Sequence, residues 1–192
     1  MIEKFTSEQR VELNSIAMRA SDIHKSVSQE YDGKPYSYHL FRVSEVMDRY
    51  FLDLGELPEY DLYKTLYFAC MFHDSIEDAR LTYNDVLKIA SEYMTSGFAK
   101  AATEIVYALT NEKGRTRKER ANSKYYQGIC DTKFAPFIKA CDRMANIQYA
   151  KDTKSRMFDV YKKEMKDFLS HISDKSNRIP KKLIDNLNDI IL

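Results

Sequence analysis

The chain has 192 residues, with 30 lysines and arginines against 29 aspartates and glutamates, which gives a net charge of +1. This balance excludes global electrostatic steering toward nucleic acid or an anionic membrane, so we expect neither as a partner, and any basic site must be local. The length fits a single domain over residues 1–192, and no stretch approaches the roughly 20 apolar residues that span a bilayer.

Helical periodicity predicts an all-α fold. The 5 glycines and 4 prolines, with no Asn-Gly or Asp-Gly hairpin between alternating runs, leave almost no sheet signal. The first helix starts with a capping box at Thr6–Gln9, and its apolar stripe begins at Leu13. His24 lies on the edge of that stripe, and we interpret it as a packed core histidine. The Asp-Gly-Lys-Pro segment at residues 32–35 then breaks the helix.

The second and third helices carry ionisable residues into the interior. His39 shares a helical stripe with Val43, so His39 is predicted to face inward. After an extended loop around residues 54–60, the third helix is apolar on nearly every face, and such a segment belongs in the core. This helix ends at His73 and Asp74, which are therefore predicted to lie in the middle of the protein.

The later helices are predicted from caps, prolines and apolar spacing. One of them is largely interior and encloses Asp142, with Asn146 four residues on along the same face and Arg143 offset by about 100°. The predicted helices run from Thr82 to about Met94, from Gly97 through Leu109, from Pro136 through Ile147, from Met157 through Leu169, and from Pro180 to Leu192.

Two further features of composition bear on function. The three cysteines, Cys70, Cys130 and Cys141, lack CxxC spacing and sit in apolar segments, so we expect reduced core thiols and a cytoplasmic protein. The stretch at residues 111–124 is strongly basic, and it is either a solvated face or a phosphate-binding patch that includes Lys113 and Arg117.

Four side chains from three predicted buried helices could share one divalent cation. Each of these groups is costly to bury alone, whereas together around a cation they satisfy one another. A set of imidazoles and carboxylates without thiolate suits manganese or a similar ion better than structural zinc. The predicted ligands are His39, His73, Asp74 and Asp142.

Acid–base groups follow the third helix closely. Glu77 and Asp78 lie one turn past His73 and Asp74, where they could orient or deprotonate an attacking water. A divalent cation that activates water and polarises a phosphoryl oxygen meets the requirement for hydrolysing a phosphate ester or anhydride. The sequence therefore predicts a metal-dependent phosphohydrolase that acts on a small molecule.

These motifs resemble those of the HD-domain phosphohydrolases, and more closely the alarmone hydrolase domain of RelA/SpoT proteins and its small stand-alone relatives. The resemblance covers roughly residues 10 to 170 and rests on three segments: Gly-Lys-Pro-Tyr at 33–36 before His39, His-Asp-Ser-Ile-Glu-Asp at 73–78, and Ala-Cys-Asp-Arg-Met-Ala-Asn at 140–146. It implies an HD-type helical bundle, Mn²⁺ on the four predicted ligands, catalysis by Glu77 and Asp78, and Asn146 near the substrate ribose. The implied reaction removes pyrophosphate from the 3′ position of ppGpp.

The chain departs from this family where the base would be recognised. An Arg-Lys pair usually precedes the Gly-x-Pro-Tyr motif and supplies an Arg that stacks on guanine, whereas this chain has Glu30 and Tyr31. Tyr31 could stack on a base instead, while Glu30 would repel phosphate. Arg117 falls where small relatives have a phosphate-binding Lys, and Tyr161 where they have a substrate-contacting Tyr. We count Tyr31, Lys113, Arg117, Arg143 and Tyr161 as the predicted substrate contacts.

Three functions are compatible with this pattern. The first is hydrolysis of an alarmone-type nucleotide. The second is an HD phosphatase acting on another nucleotide, such as a deoxynucleoside monophosphate or NADPH, and the third is a non-catalytic nucleotide-binding regulator. The complete set of ligands, with Glu77, Asp78 and Asn146, speaks against the third.

Overall fold

The computed structural model describes residues 4–56, 59–111, 115–172 and 179–192, without the side chains of Arg117 and Lys118. Helices dominate these residues, so the predicted all-α fold class is confirmed. The helices are α1 Ser7–Ser26, α2 Ser37–Tyr50, α3 Tyr60–Phe72, α4 Tyr83–Tyr93, α5 Ser96–Leu109, α6 Arg117–Arg120, α7 Ser123–Asp131, α8 Ala135–Asp152, α9 Met157–Ile172 and α10 Lys181–Asp189. A short 3₁₀ helix at Phe51–Leu54 follows α2.

The helix starts follow local capping chemistry. Thr6 and Gln9 form the predicted capping box of α1, and Thr82 with Asp85 forms a second one at α4. The helix α7 is absent from the sequence-based prediction, which assigns no element between the basic stretch at residues 111–124 and the helix that starts at Pro136. Its start is capped by Asn122, whose side chain accepts a hydrogen bond from the Tyr125 backbone N–H at 3.0 Å.

A two-stranded hairpin corrects the prediction that residues 32–35 only break a helix. Strand β1, Glu30–Tyr31, pairs with β2, Lys34–Pro35, through the two-residue turn Asp32-Gly33. Both turn residues have positive φ, 52° for Asp32 and 74° for Gly33. Asp-Gly suits such a turn because aspartate tolerates the left-handed region and glycine has no Cβ to clash there. The hairpin places Tyr31 next to the start of α2.

The helix α3 forms the centre of the core, as its sequence predicts. All residues from Tyr63 to Phe72 in it are buried, and α3 packs against α1, α2, α5 and α8. Cys70 and Cys141 are buried as predicted, whereas Cys130 is only partly buried. Among the described residues, no helix combines the length and the apolar character needed to cross a bilayer.

Candidate metal and phosphate site

His73 and Asp74 follow directly after the buried end of α3. The carbonyl oxygen of Cys70 lies 2.8 Å from His73 Nδ1, so this nitrogen must carry the proton and donate to it. This hydrogen bond directs the other ring nitrogen, Nε2, toward Asp74, whose Oδ2 lies 2.8 Å away. Metal-binding histidines are held in this way, with one ring nitrogen fixed by the protein and the other left to ligate.

The other predicted ligands converge on the same place from α2 and α8. His39 Nε2 lies 3.3 Å from His73 Nε2 and 3.8 Å from Asp74 Oδ2. Asp142 Oδ1 lies 3.4 Å from His39 Nε2 and 3.9 Å from His73 Nε2. The ligand atoms of His39, His73 and Asp74 all lie within 4.8 Å of one another. The structure therefore brings all four predicted ligands together.

The chemistry of this cluster fits a cation. In a neutral His73 the Nε2 lone pair would point at the Asp74 carboxylate, and two such electron-rich atoms repel unless a positive charge lies between them. Burial opposes a charged His73, but Asp74 and Asp142 outweigh it and raise the pKa of His73 to about 9. The two carboxylates thus favour a positive charge at this position, and a divalent cation would supply it with His39, His73, Asp74 and Asp142 as ligands.

Asp142 is further held by two residues of its own helix. Lys139 Nζ lies 2.9 Å from Asp142 Oδ2, and the amide of Asn146 donates to Asp142 Oδ1 and to its backbone oxygen. Burial would raise the pKa of Asp142, but the Lys139 ammonium and the two histidines hold it well below its usual range. Lys139 is missing from the sequence-based site, although its spacing of three residues from Asp142 on α8 was a usable signal.

Glu77 and Asp78 lie on one further helical turn, where the Asp78 N–H donates to the Asp74 carbonyl at 2.8 Å. Glu77 accepts from the Asn111 backbone N–H and from Arg120 Nη1, both at 3.1 Å. Asp78 accepts from Gln29 Nε2 at 3.2 Å. Both acids are half-buried, and burial followed by nearby carboxylates raises their pKa values. A raised pKa makes a carboxylate a better proton acceptor.

A cavity of about 410 Å³ adjoins this turn. Four of its lining residues are cations, and Glu77 links it to the cluster of predicted ligands. The cations are partly balanced by Glu77, Glu164 and Asp167, and aromatic rings form much of the remaining wall. The cationic lining residues are Arg120, Lys139, Arg143 and Lys163, and the aromatic ones are Tyr125, Tyr126 and Phe168. Such a lining suits an anionic organic ligand.

Of the predicted substrate contacts, Arg143 lines this cavity, and Tyr161 lies near Arg143. Arg143 Nη1 pairs with Glu164 Oε2 at 3.0 Å, and its guanidinium carbon lies 5.1 Å from the Tyr161 ring centre and 4.5 Å from that of Phe168. This packing fixes the orientation of Arg143. Lys113 and the side chain of Arg117 lie outside the described residues, and Arg120 of α6 reaches Glu77.

Tyr31, a further predicted substrate contact, touches both Asn146 and His39. Its hydroxyl donates to Asn146 Oδ1 at 2.9 Å, and its ring stacks on His39 with centres 4.7 Å apart and an interplanar angle of 11°. Because His39 covers this face of the Tyr31 ring, a base cannot stack on it. The predicted role of Tyr31 in stacking on a base is therefore limited to the other face. The hairpin is anchored beside it, because Tyr149 donates to Asp32 Oδ2 at 2.7 Å.

No protein-family model, curated protein or solved structure matches the chain. The chemistry of the cluster and its cavity, together with the motifs in the sequence, is what bears on function.

Proposed function

We propose that this protein is a Mn²⁺-dependent phosphohydrolase of the HD type that removes the 3′-pyrophosphate from ppGpp or a related alarmone. One observation carries the proposal: two imidazoles and two carboxylates from α2, α8 and the end of α3 converge beside a cation-lined cavity that contains Glu77. Structural ion pairs alone do not require two buried histidine Nε2 atoms 3.3 Å apart.

The residues that would hold the cation are His39, His73, Asp74 and Asp142. When bound there, a divalent cation supplies an activated water and polarises a phosphoryl oxygen. Glu77 and Asp78 accept the proton that the water loses, which their raised pKa values favour. Lys139 neutralises Asp142 and offers its ammonium to the phosphate oxygens in the cavity.

The reaction balances as a hydrolysis. Water adds to the phosphorus that is attached to the 3′ oxygen of the ribose, and the bond between that phosphorus and the 3′ oxygen breaks. The proton lost by the water goes to a carboxylate, and the leaving 3′ oxygen takes up a proton to become a hydroxyl. Pyrophosphate and the 5′-phosphorylated nucleoside are the products. Arg120, Arg143 and Lys163 give the cavity the charge to bind the pyrophosphate.

A substrate panel tests this function. We expect purified protein with added Mn²⁺ to release pyrophosphate from ppGpp or ppApp, identified by mass, and a His73→Ala variant to lack both activity and bound metal. The exposed Met18 offers a control, since Met18→Ala should behave as wild type. Release of orthophosphate from deoxynucleoside monophosphates or NADPH alone would instead assign the second function. Bound metal without any turnover would assign the non-catalytic one.

A further inference from the structure

Tyr36 connects a buried histidine to the metal cluster. Its hydroxyl donates a hydrogen bond to Asp74 Oδ2, the same oxygen that faces His73 Nε2. The edge of its ring meets the His39 imidazole, with centres 5.6 Å apart and an interplanar angle of 68°. Tyr36 therefore contacts two of the four predicted ligands, one from α2 and one from the end of α3.

His24 packs against the ring of Tyr36. The two rings stack with centres 4.5 Å apart and an interplanar angle of 22°. His24 is fully buried, and neither of its ring nitrogens has a hydrogen-bond partner among the described residues. A buried imidazole without hydrogen-bond partners destabilises the folded protein relative to an apolar side chain. Hydrogen bonding therefore does not explain why an imidazole is present here. Its visible contribution is the flat surface against Tyr36.

We infer that Tyr36 is a positioning residue for the metal centre and that the His24 ring holds Tyr36 in the orientation that reaches Asp74. The inference rests on the proposed function insofar as the cluster binds a cation. A tyrosine hydroxyl carries its proton at neutral pH, so Tyr36 donates to the Asp74 carboxylate. Fixed by this bond, the Asp74 carboxylate keeps the position in which it meets His39 and His73.

The chain offers a matched control for removing a buried tyrosine hydroxyl. Tyr63 is buried on α3 and donates to Asp48 Oδ1 at 2.9 Å, so Tyr63→Phe deletes the same kind of tyrosine–aspartate bond. Tyr63 precedes His73 by ten positions, which is about 15 Å along a helix, so the control lies well away from the cluster. Both variants keep their aromatic ring in the core.

The test is a Mn²⁺ titration by competition with a metal indicator, alongside thermal unfolding in EDTA. We expect Tyr36→Phe to raise the Mn²⁺ Kd by about 10- to 100-fold, as loss of a residue that orients a ligand typically does. Tyr63→Phe should leave the Kd unchanged even if both variants lose similar stability in EDTA. His24→Phe, which keeps a flat ring, should bind Mn²⁺ like wild type, whereas His24→Ala should bind more weakly.

Two results would overturn the positioning role. One is a Tyr36→Phe Kd equal to that of wild type, and the other is an equal weakening in Tyr36→Phe and Tyr63→Phe, which would reveal a general effect on folding. Both differ from failure of the proposed function, in which the wild-type protein itself would take up no Mn²⁺.

Discussion

The Tyr31 hydroxyl bonds to Asn146 while the ring of the same residue lies flat on His39. His39 Nδ1 is buried and has no hydrogen-bond partner among the described residues, in contrast to His73, whose Nδ1 is fixed by Cys70. Stacking on Tyr31 therefore orients the His39 ring, whereas a hydrogen bond orients the His73 ring. Tyr31 also ties α8 to the hairpin through Asn146.

This relationship predicts a difference between two variants of Tyr31. Tyr31→Phe keeps the stack on His39 and should retain Mn²⁺ affinity within about twofold, because only the bond to Asn146 is lost. Tyr31→Ala removes the stack and should weaken Mn²⁺ binding by about tenfold, the lower end of what loss of an orienting residue produces. Equal affinities in both variants, measured by indicator competition, would show that the stack does not orient His39.

The acids beyond the metal cluster should affect turnover without affecting metal content. Glu77→Gln and Asp78→Asn remove proton acceptors, and such changes typically lower the rate by about 10² to 10⁴. Elemental analysis should find wild-type Mn²⁺ in both, since neither side chain belongs to the predicted ligand set. Glu104→Gln is a control. Glu104 accepts a hydrogen bond of 2.7 Å from the Tyr83 hydroxyl and is not one of the predicted site residues. Near wild-type turnover in the two acid variants would reject their assignment.

Base preference should respond to residue 30. Glu30 is exposed on β1, at the place where the resembled family carries its stacking arginine. We expect wild type to favour guanine over adenine only weakly, and Glu30→Arg to raise the ratio of kcat/KM for ppGpp over ppApp about five- to tenfold, equivalent to roughly 1 kcal/mol. Glu30→Gln separates stacking from loss of negative charge. The same ratio in the Arg and Gln variants would mean that no cation stacks on the base.

The pH dependence of stability should carry the signature of His24. Burial lowers the pKa of His24 from 6.5 to about 4, so between these values the unfolded chain binds a proton that the folded protein does not. This contribution to the free energy of unfolding is present in full above pH 6.5 and is lost as the pH falls toward 4. By pH 5 the loss is about 2 kcal/mol.

Denaturant unfolding in EDTA at pH 7 and pH 5 measures this contribution of His24 to the free energy of unfolding. His24→Phe should lose less stability than wild type between the two pH values, because it lacks this histidine and all its other titrating groups are the same as in wild type. His171→Phe, at a partly exposed position on α9, is the matched control for exchanging a histidine for phenylalanine. If His24→Phe lost as much stability as wild type between pH 7 and pH 5, the assignment of this loss to His24 would be contradicted.

The local parts of the structure were open to prediction from sequence. The capping box at Thr6, the apolar run of α3 and the four-residue spacing of Asp142 and Asn146 depend on helix geometry alone, and these features are observed. The Asp32-Gly33 turn was missed because its two flanking strands are too short to show alternation. Tyr36 and Lys139 were missed because their importance arises from what tertiary packing places beside them.

The four predicted ligands lie at different separations along the chain. The helices α2 and α3 are neighbours in the chain and pack directly, so bringing His39 to His73 and Asp74 closes a shorter segment than bringing Asp142 to them and costs less chain entropy. Asp142 reaches them only when α8 docks on α2, after closure of the long segment that carries α4 to α7. A partly synthesised chain that ends before α8 would thus hold three ligands in a weak site. If the cluster binds Mn²⁺ as proposed, tight binding of the cation would therefore mark the completion of folding.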